Sequence, residues 1–64
     1  MQRTMPLIKI KFDLGFGEIV NCCAEVYKYK YKDSDYYHLY FDDGISHDSH
    51  CKFDSARRVF YGAD

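Results

Sequence analysis

The sequence predicts a small all-β domain, and three features carry that prediction. Apolar and polar residues alternate from Leu7 to Leu14, and two side-chain faces alternate again from Tyr36 to Phe41. A period of two places successive side chains on opposite faces of a strand. Asp43-Gly44 follows the second run and suits the positive φ angles of a tight hairpin turn. Between the runs, Glu18 to Lys32 contains Tyr, Val, Ile and Cys, which are poor to middling helix formers, and Tyr alternates strictly with Lys from Tyr27 to Lys32. At about 3.3 Å per residue that segment spans about 50 Å, too long for a straight strand in so small a domain. A strand bent around a small closed barrel accommodates it.

Taken in order, residues 1–6 are expected to form a flexible lead-in, with Pro6 biasing Met5 towards an extended conformation. Residues 7–64 form a single small β-barrel domain. In its first strand Ile8, Ile10, Phe12 and Leu14 share one face, and Lys9, Lys11 and Asp13 the other. Gly15-Phe16-Gly17 ends that strand in a tight or bulged turn that pushes the Phe16 ring outward. In the long second strand the apolar face begins on even positions, Val20, Cys22, Ala24 and Val26. It then passes to odd ones, Tyr27, Tyr29 and Tyr31, against Lys28, Lys30 and Lys32. One extra residue near Val26 produces such a change of parity, so a β-bulge or sharp bend is expected there. A helix over the same segment is the competing reading, since Ile19, Cys23, Val26, Tyr27 and Lys30 also fall at helical spacing.

Lys32-Asp33-Ser34-Asp35 reads as a polar hairpin loop, followed by a third strand with Tyr37, Leu39 and Phe41 on one face. Tyr36, His38 and Tyr40 lie on the other. Ile45 is expected to begin the return strand. Asp54 or Ser55 caps a short C-terminal helical turn, over Ala56 to Phe60, that packs Ala56, Val59 and Phe60 inward and stops at Gly62. A 3₁₀ turn leading into a final strand from Arg58 to Tyr61 is the alternative.

Composition bounds what such a domain can do. A chain of 64 residues buries only about 60% of the surface that its unfolded state exposes. Seven Tyr and five Phe are too many for that core to hide, so several rings become contact surface. A net charge of −1 argues against strong non-specific nucleic-acid binding. Three cysteines, two of them adjacent as Cys22 and Cys23, do not make a secreted disulfide framework. The chain contains no apolar run long enough for a signal sequence or membrane span, which points to an intracellular protein, cytoplasmic or nuclear, without a membrane partner.

The order of strands and turns, and two short motifs, resemble the SH3-like barrels of Tudor type. Phe16-Gly17-Glu18-Ile19-Val20 is similar to the aromatic-x-Gly-x-Ile/Val entry to their second strand. Tyr37-His38-Leu39-Tyr40-Phe41-Asp42-Asp43-Gly44 is similar to their third strand and turn, and Asp48 falls where an acidic residue often follows. The resemblance implies a barrel of four to five antiparallel strands that works as a non-enzymatic protein-interaction module. It also implies an aromatic cage for a cationic or methylated side chain, held by cation–π attraction and a countercharge. Carried over by position, the ligand-binding residues are Phe16, Phe41 and Asp43, with Tyr27, Tyr36 or Tyr40 supplying a further wall.

Two other functions fit the same residues. A small phage or mobile-element inhibitor would use the exposed Tyr and Asp to block a host protein by surface contact. A nucleic-acid-binding barrel would use Lys28, Tyr29, Lys30 and Lys32 to stack bases and meet phosphates. No nucleophile–base pair, phosphate loop or paired catalytic carboxylates occur, so neither an enzyme nor a cofactor is implied. His47, His50 and Cys51, with Cys22 or Cys23, are zinc-competent ligand types, but their spacing matches no strong zinc motif. A chelator is accordingly expected to leave the melting temperature unchanged. A drop on chelation that zinc restores would reverse the assignment.

Overall fold

The computed structural model describes residues 2–63; Met1 and Asp64, the outer ends of the expected lead-in and domain, lie outside the described residues. Five strands follow one another: β1 (Gln2–Asp13), β2 (Ile19–Tyr31), β3 (Ser34–Phe41), β4 (His47–Asp54) and β5 (Val59–Gly62). Each is antiparallel to the next, and β5 lies against β1 to close the sheet into a ring. A meander with an odd number of strands brings its first and last strands to the seam running the same way. The closing pair is therefore parallel, and it is short: Phe12 faces Phe60 and Asp13 faces Tyr61.

The inner face follows the alternation read from the sequence. Ile10, Ala24, Val26, Leu39, Cys51 and Phe60 form the buried cluster, with Ile8, Phe12, Tyr37 and Phe41 packed against it. Phe12 and Phe41 meet edge to face at 5.8 Å, and Tyr37 and Phe60 at 5.4 Å, arrangements that suit the quadrupoles of aromatic rings. Leu14, expected on this face, lies beyond the end of β1 and is exposed. Gly15 and Gly17 have φ of 92° and 77° and carry the turn into β2, leaving Phe16 88% exposed.

Several elements differ from the sequence reading. Residues 2–6 of the expected lead-in are part of β1, because β2 is long enough to pair with them: Gln2 faces Lys28 and Arg3 faces Tyr27. The irregularity expected near Val26 belongs to the opposite strand. From Ala24–Phe41 to Tyr31–Ser34, β2 pairs with β3 without interruption, whereas β1 gains one residue between Arg3 and Met5 and another between Met5 and Ile8. The second of these shifts contains Pro6, whose missing N–H suits a bulge better than a regular ladder. The parity of β2 never changes, and Tyr27, Tyr29 and Tyr31 stay on the outer face.

The turns also exchange roles. The tight two-residue turn joins Tyr31 to Ser34 through Lys32 and Asp33, whose φ angles are 51° and 64°. Two positive φ angles match the right-handed twist of the flanking strands. At the Asp43-Gly44 site only Gly44 has positive φ. The loop there is longer, closed by the Phe41 N–H donating to the Ser46 carbonyl, and β4 begins at His47 rather than at Ile45.

The expected C-terminal helical turn is replaced by a turn at 55–58, and the described residues contain no helix. The Arg58 N–H donates to the Asp54 carbonyl at 2.7 Å, and Arg58 then takes a φ of 58° that ends any helical path. Val59 and Phe60 are buried as strand residues paired with Asp54 and Phe53, while Ala56 is exposed. Leu39 is fully buried at the centre of the ring. Leu39→Ala is expected to cost about 2–5 kcal/mol, a large part of the roughly 3–10 kcal/mol that a domain of this length possesses. Urea unfolding of the two proteins measures it.

Candidate functional site

The outer face of β2, β3 and β4 carries an array of aromatic rings in two clusters. Its position follows from two facts: the two-residue turn sets the β2–β3 register, and alternation does the rest. Tyr29 is brought opposite Tyr36, Tyr27 opposite His38 and Glu25 opposite Tyr40. On β4, His47 faces Tyr40, and an extra residue between Asp48 and Cys51 carries His50 outward beside Tyr36.

The array has two parts. In the first, Tyr27 and Tyr40 meet edge to face at 5.3 Å, and His38 stacks on Tyr40 at 4.2 Å. The Tyr27 hydroxyl donates to Glu25 at 3.0 Å, which raises the Tyr27 pKa by holding its proton. The guanidinium of Arg3 lies 4.0 Å from the same Glu25 carboxylate. Glu25, Tyr27 and Tyr40 line one wall of a groove of about 600 Å³, whose other wall is the loop from Phe41 to His47. Ile45, at the lip of this groove, is 85% exposed.

In the second part Tyr36 stacks on His50 at 4.2 Å, and Tyr31 meets both rings edge to face. The Tyr29 hydroxyl donates to the Ser49 carbonyl at 2.6 Å and lies 3.0 Å from His50 Nδ1. With its one proton committed, that hydroxyl accepts from Nδ1–H, which fixes the tautomer of His50. Lys32 stands over the Tyr31 ring and Lys52 over the Tyr36 ring.

The residues carried over from the resemblance are only partly brought together. Tyr40 and Phe41 line the same groove. Phe41 nevertheless packs its ring against Phe12 in the core. Tyr36 belongs to the second part of the array. Phe16, in the β1–β2 turn, makes no ring contact among the described residues. Asp43 turns its carboxylate onto its own loop, accepting from the Ser46 hydroxyl and from the N–H groups of Ile45 and Ser46.

The Lys-Tyr alternation is divided by the pleat. Lys28 and Lys30 lie on the face opposite the tyrosines and pair with Asp35 at 3.5 and 3.0 Å. The zinc-competent residues are dispersed as well: His47 lies against His38, His50 against Tyr29 and Tyr36, and Cys51 in the core. None of the three cysteines forms a disulfide. Among the described residues no helix is long and apolar enough to cross a membrane.

Glu25 and His38 escaped the sequence reading as site residues, and His47 and His50 entered it only as zinc-competent types. The signal for Glu25 and His38 is the two-residue turn: once Tyr31 is placed opposite Ser34, the facing pairs Tyr29–Tyr36, Tyr27–His38 and Glu25–Tyr40 follow by counting. What these pairs define is a small closed five-stranded β domain with an aromatic outer face. No protein-family model, curated protein or solved structure matches the chain.

Two pH effects follow from this geometry. Desolvation, followed by the neighbouring His47 imidazole, lowers the His38 pKa, against a smaller opposing effect of Asp48. The folded value lies below the unfolded one, so the unfolded chain takes up the proton first. The contribution of neutral His38 is present above the unfolded value of about 6.5 and is lost as pH falls through the folded value. The melting temperature is expected to fall between about pH 8 and about pH 5, and His38→Gln to flatten that profile. Asp43 is lowered by the Ser46 hydroxyl and then by the Ile45 and Ser46 N–H groups. Its contribution is present above the unfolded carboxyl value of about 3.9 and is lost as pH falls through the folded value. Asp43→Ala is expected to lower the melting temperature at neutral pH and to narrow the gap from wild type under strong acid.

Proposed function

We propose that this chain is a non-enzymatic protein-interaction module, an SH3-like barrel of Tudor type that holds a cationic or methylated side chain of a partner against its outer aromatic face. The observation that carries this reading is the Tyr27–Tyr40 pair beside Glu25, with Arg3 already directed at that carboxylate. A cation at this place gains attraction to ring faces and to a carboxylate together, each ring contributing about 0.5–2 kcal/mol. An incoming side chain replaces Arg3 at Glu25. In this reading Glu25 supplies the countercharge in place of Asp43, whose oxygens are engaged in their own turn.

Titration of ¹⁵N-labelled protein with methylated and unmethylated lysine and arginine peptides tests the proposal. Shifts are expected at Tyr27 and Tyr40. Tyr40→Ala is expected to weaken binding about two- to thirtyfold, and Arg3→Ala to strengthen it by freeing Glu25. Absence of shifts at Tyr27 and Tyr40 with every peptide sinks the cationic-ligand reading, leaving the surface-contact inhibitor as its successor.

A second reading is favoured by Lys32 and Lys52 standing over the rings of the Tyr31–Tyr36–His50 array. Single-stranded nucleic acid stacks on such platforms, with an affinity that falls steeply with salt. Shifts at Tyr31 and Tyr36 on adding an oligothymidine, lost at high salt, are the result expected of it.

A further inference from the structure

We infer that the seam between β1 and β5 is a second interaction site, which takes an extended acidic segment of a partner protein as an added strand. The argument begins with the mismatch in strand length at the closure. β1 runs from Gln2 to Asp13, but β5 has only four residues and pairs with β1 at Phe12 and Asp13 alone. From Ile8 to Ile10, β1 pairs with β2 on one side, and no described strand pairs with its other side. Alternate residues of such an edge present N–H and C=O groups outward, which is the template for strand addition.

A groove of about 570 Å³ lies at this edge. Ile8 and Ile10 line it from the inner face of β1, and Lys9 and Lys11 line it from the outer face. Successive side chains of a strand point to opposite sides, so both sets border one groove only if it runs along the strand's edge. Its floor continues the core, through Met5, Tyr37, Phe53 and Phe60. Its rim is cationic: Lys9, Lys11, Arg57 and Arg58 line it and no acidic residue does, in a chain whose net charge is −1. Arg57 is committed to Asp13 and Asp54. Among the described residues Lys9, Lys11 and Arg58 have no ion pair.

The two chemistries are separated as an added strand requires. One face of a strand beside β1 looks onto the apolar floor, and its other face lies beside Lys9 and Lys11. The occupant is therefore an extended segment in which apolar residues alternate with Asp or Glu. This site is distinct from the Tyr27–Tyr40 groove and takes a partner of opposite charge.

The test uses the full chain, ¹⁵N-labelled, and a capped peptide alternating Glu and Val. Controls are a Lys-Val peptide of the same length, an oligothymidine and dilution of the protein alone. With the Glu-Val peptide, shifts and slowed amide exchange are expected at Ile8 to Ile10 and at Phe60, with Tyr27 and Tyr40 unmoved. Lys9→Glu with Lys11→Glu, both on exposed positions, is expected to weaken binding about tenfold or more while leaving the amide spectrum folded. No shifts at the β1 edge at millimolar Glu-Val peptide overturns the proposal, as does equal binding of the Lys-Val peptide. Shifts at Lys9, Lys11 and Arg58 with oligothymidine alone would mark a phosphate surface instead. Protection of Ile8 to Ile10 that disappears on dilution without peptide would mark a second copy of this chain. Each of the last two results also overturns it.

Discussion

The fold depends on a closure of two residue pairs. Every other strand contact is a hairpin between neighbours in sequence, where a short turn makes pairing local. The β1–β5 contact is the exception, joining Phe12 to Phe60 and Asp13 to Tyr61 across most of the chain. Closing so long a loop has an entropic cost that two ladder pairs do not offset alone. Two further contacts support them. Phe60 inserts into the core, touching Tyr37 and Phe53. Arg57 joins the end of β1 to the β4–β5 turn, donating to Asp13 at 2.9 Å and to Asp54 at 2.8 Å. Hydrogen bonding to these two carboxylates raises the Arg57 pKa. The Asp13 pKa is lowered first by the Gly15 N–H and then by Arg57, and the Asp54 pKa first by Arg57.

Closure separates an inside from an outside, and this chain puts rings on both. The inner face is packed with small and branched residues, among them Ala24, Val26 and Leu39, each without solvent exposure. Phe12, Tyr37 and Phe41, partly buried, pack against this cluster. The outer face of β2–β4 is not needed for the core, yet it carries tyrosines and histidines in mutual contact. Those contacts keep the rings in place without burying them, so the surface is ordered before any partner arrives. Preorganised aromatic surface loses little side-chain entropy on binding, which is why such rings make effective anchors.

Four of the acidic residues work as turn formers. Asp13, Asp43, Asp48 and Asp54 each accept the N–H of the residue two positions on, at Gly15, Ile45, His50 and Ala56. Such Asx bonds substitute for ladder bonds where the chain reverses or bulges. Glu25, on the regular part of β2, and Asp42 are the acids that line the aromatic groove.

By itself the sequence determined the strand character of the chain, because alternation is a local property of a pleated backbone. The two faces of β3, the inward set Ile8, Ile10 and Phe12, and the outward turn of Phe16 between two glycines were all legible in it. The irregularities were not. The tyrosines of β2 look like a change of parity because aromatic residues signal a core, yet a tyrosine is equally suited to an outer face packed by its neighbours. Only the paired strands decided that the extra residues sit in β1, around Thr4 and Pro6, and that Tyr27, Tyr29 and Tyr31 remain outside. The tertiary structure also decided that Val59 to Gly62 is a strand rather than the end of a helical turn. Val59 and Phe60 find ladder partners in Asp54 and Phe53, and no local propensity encodes that pairing. The unpaired edge of β1 is hidden from sequence for the same reason. It arises from a difference in length between two strands that meet only when the ring closes.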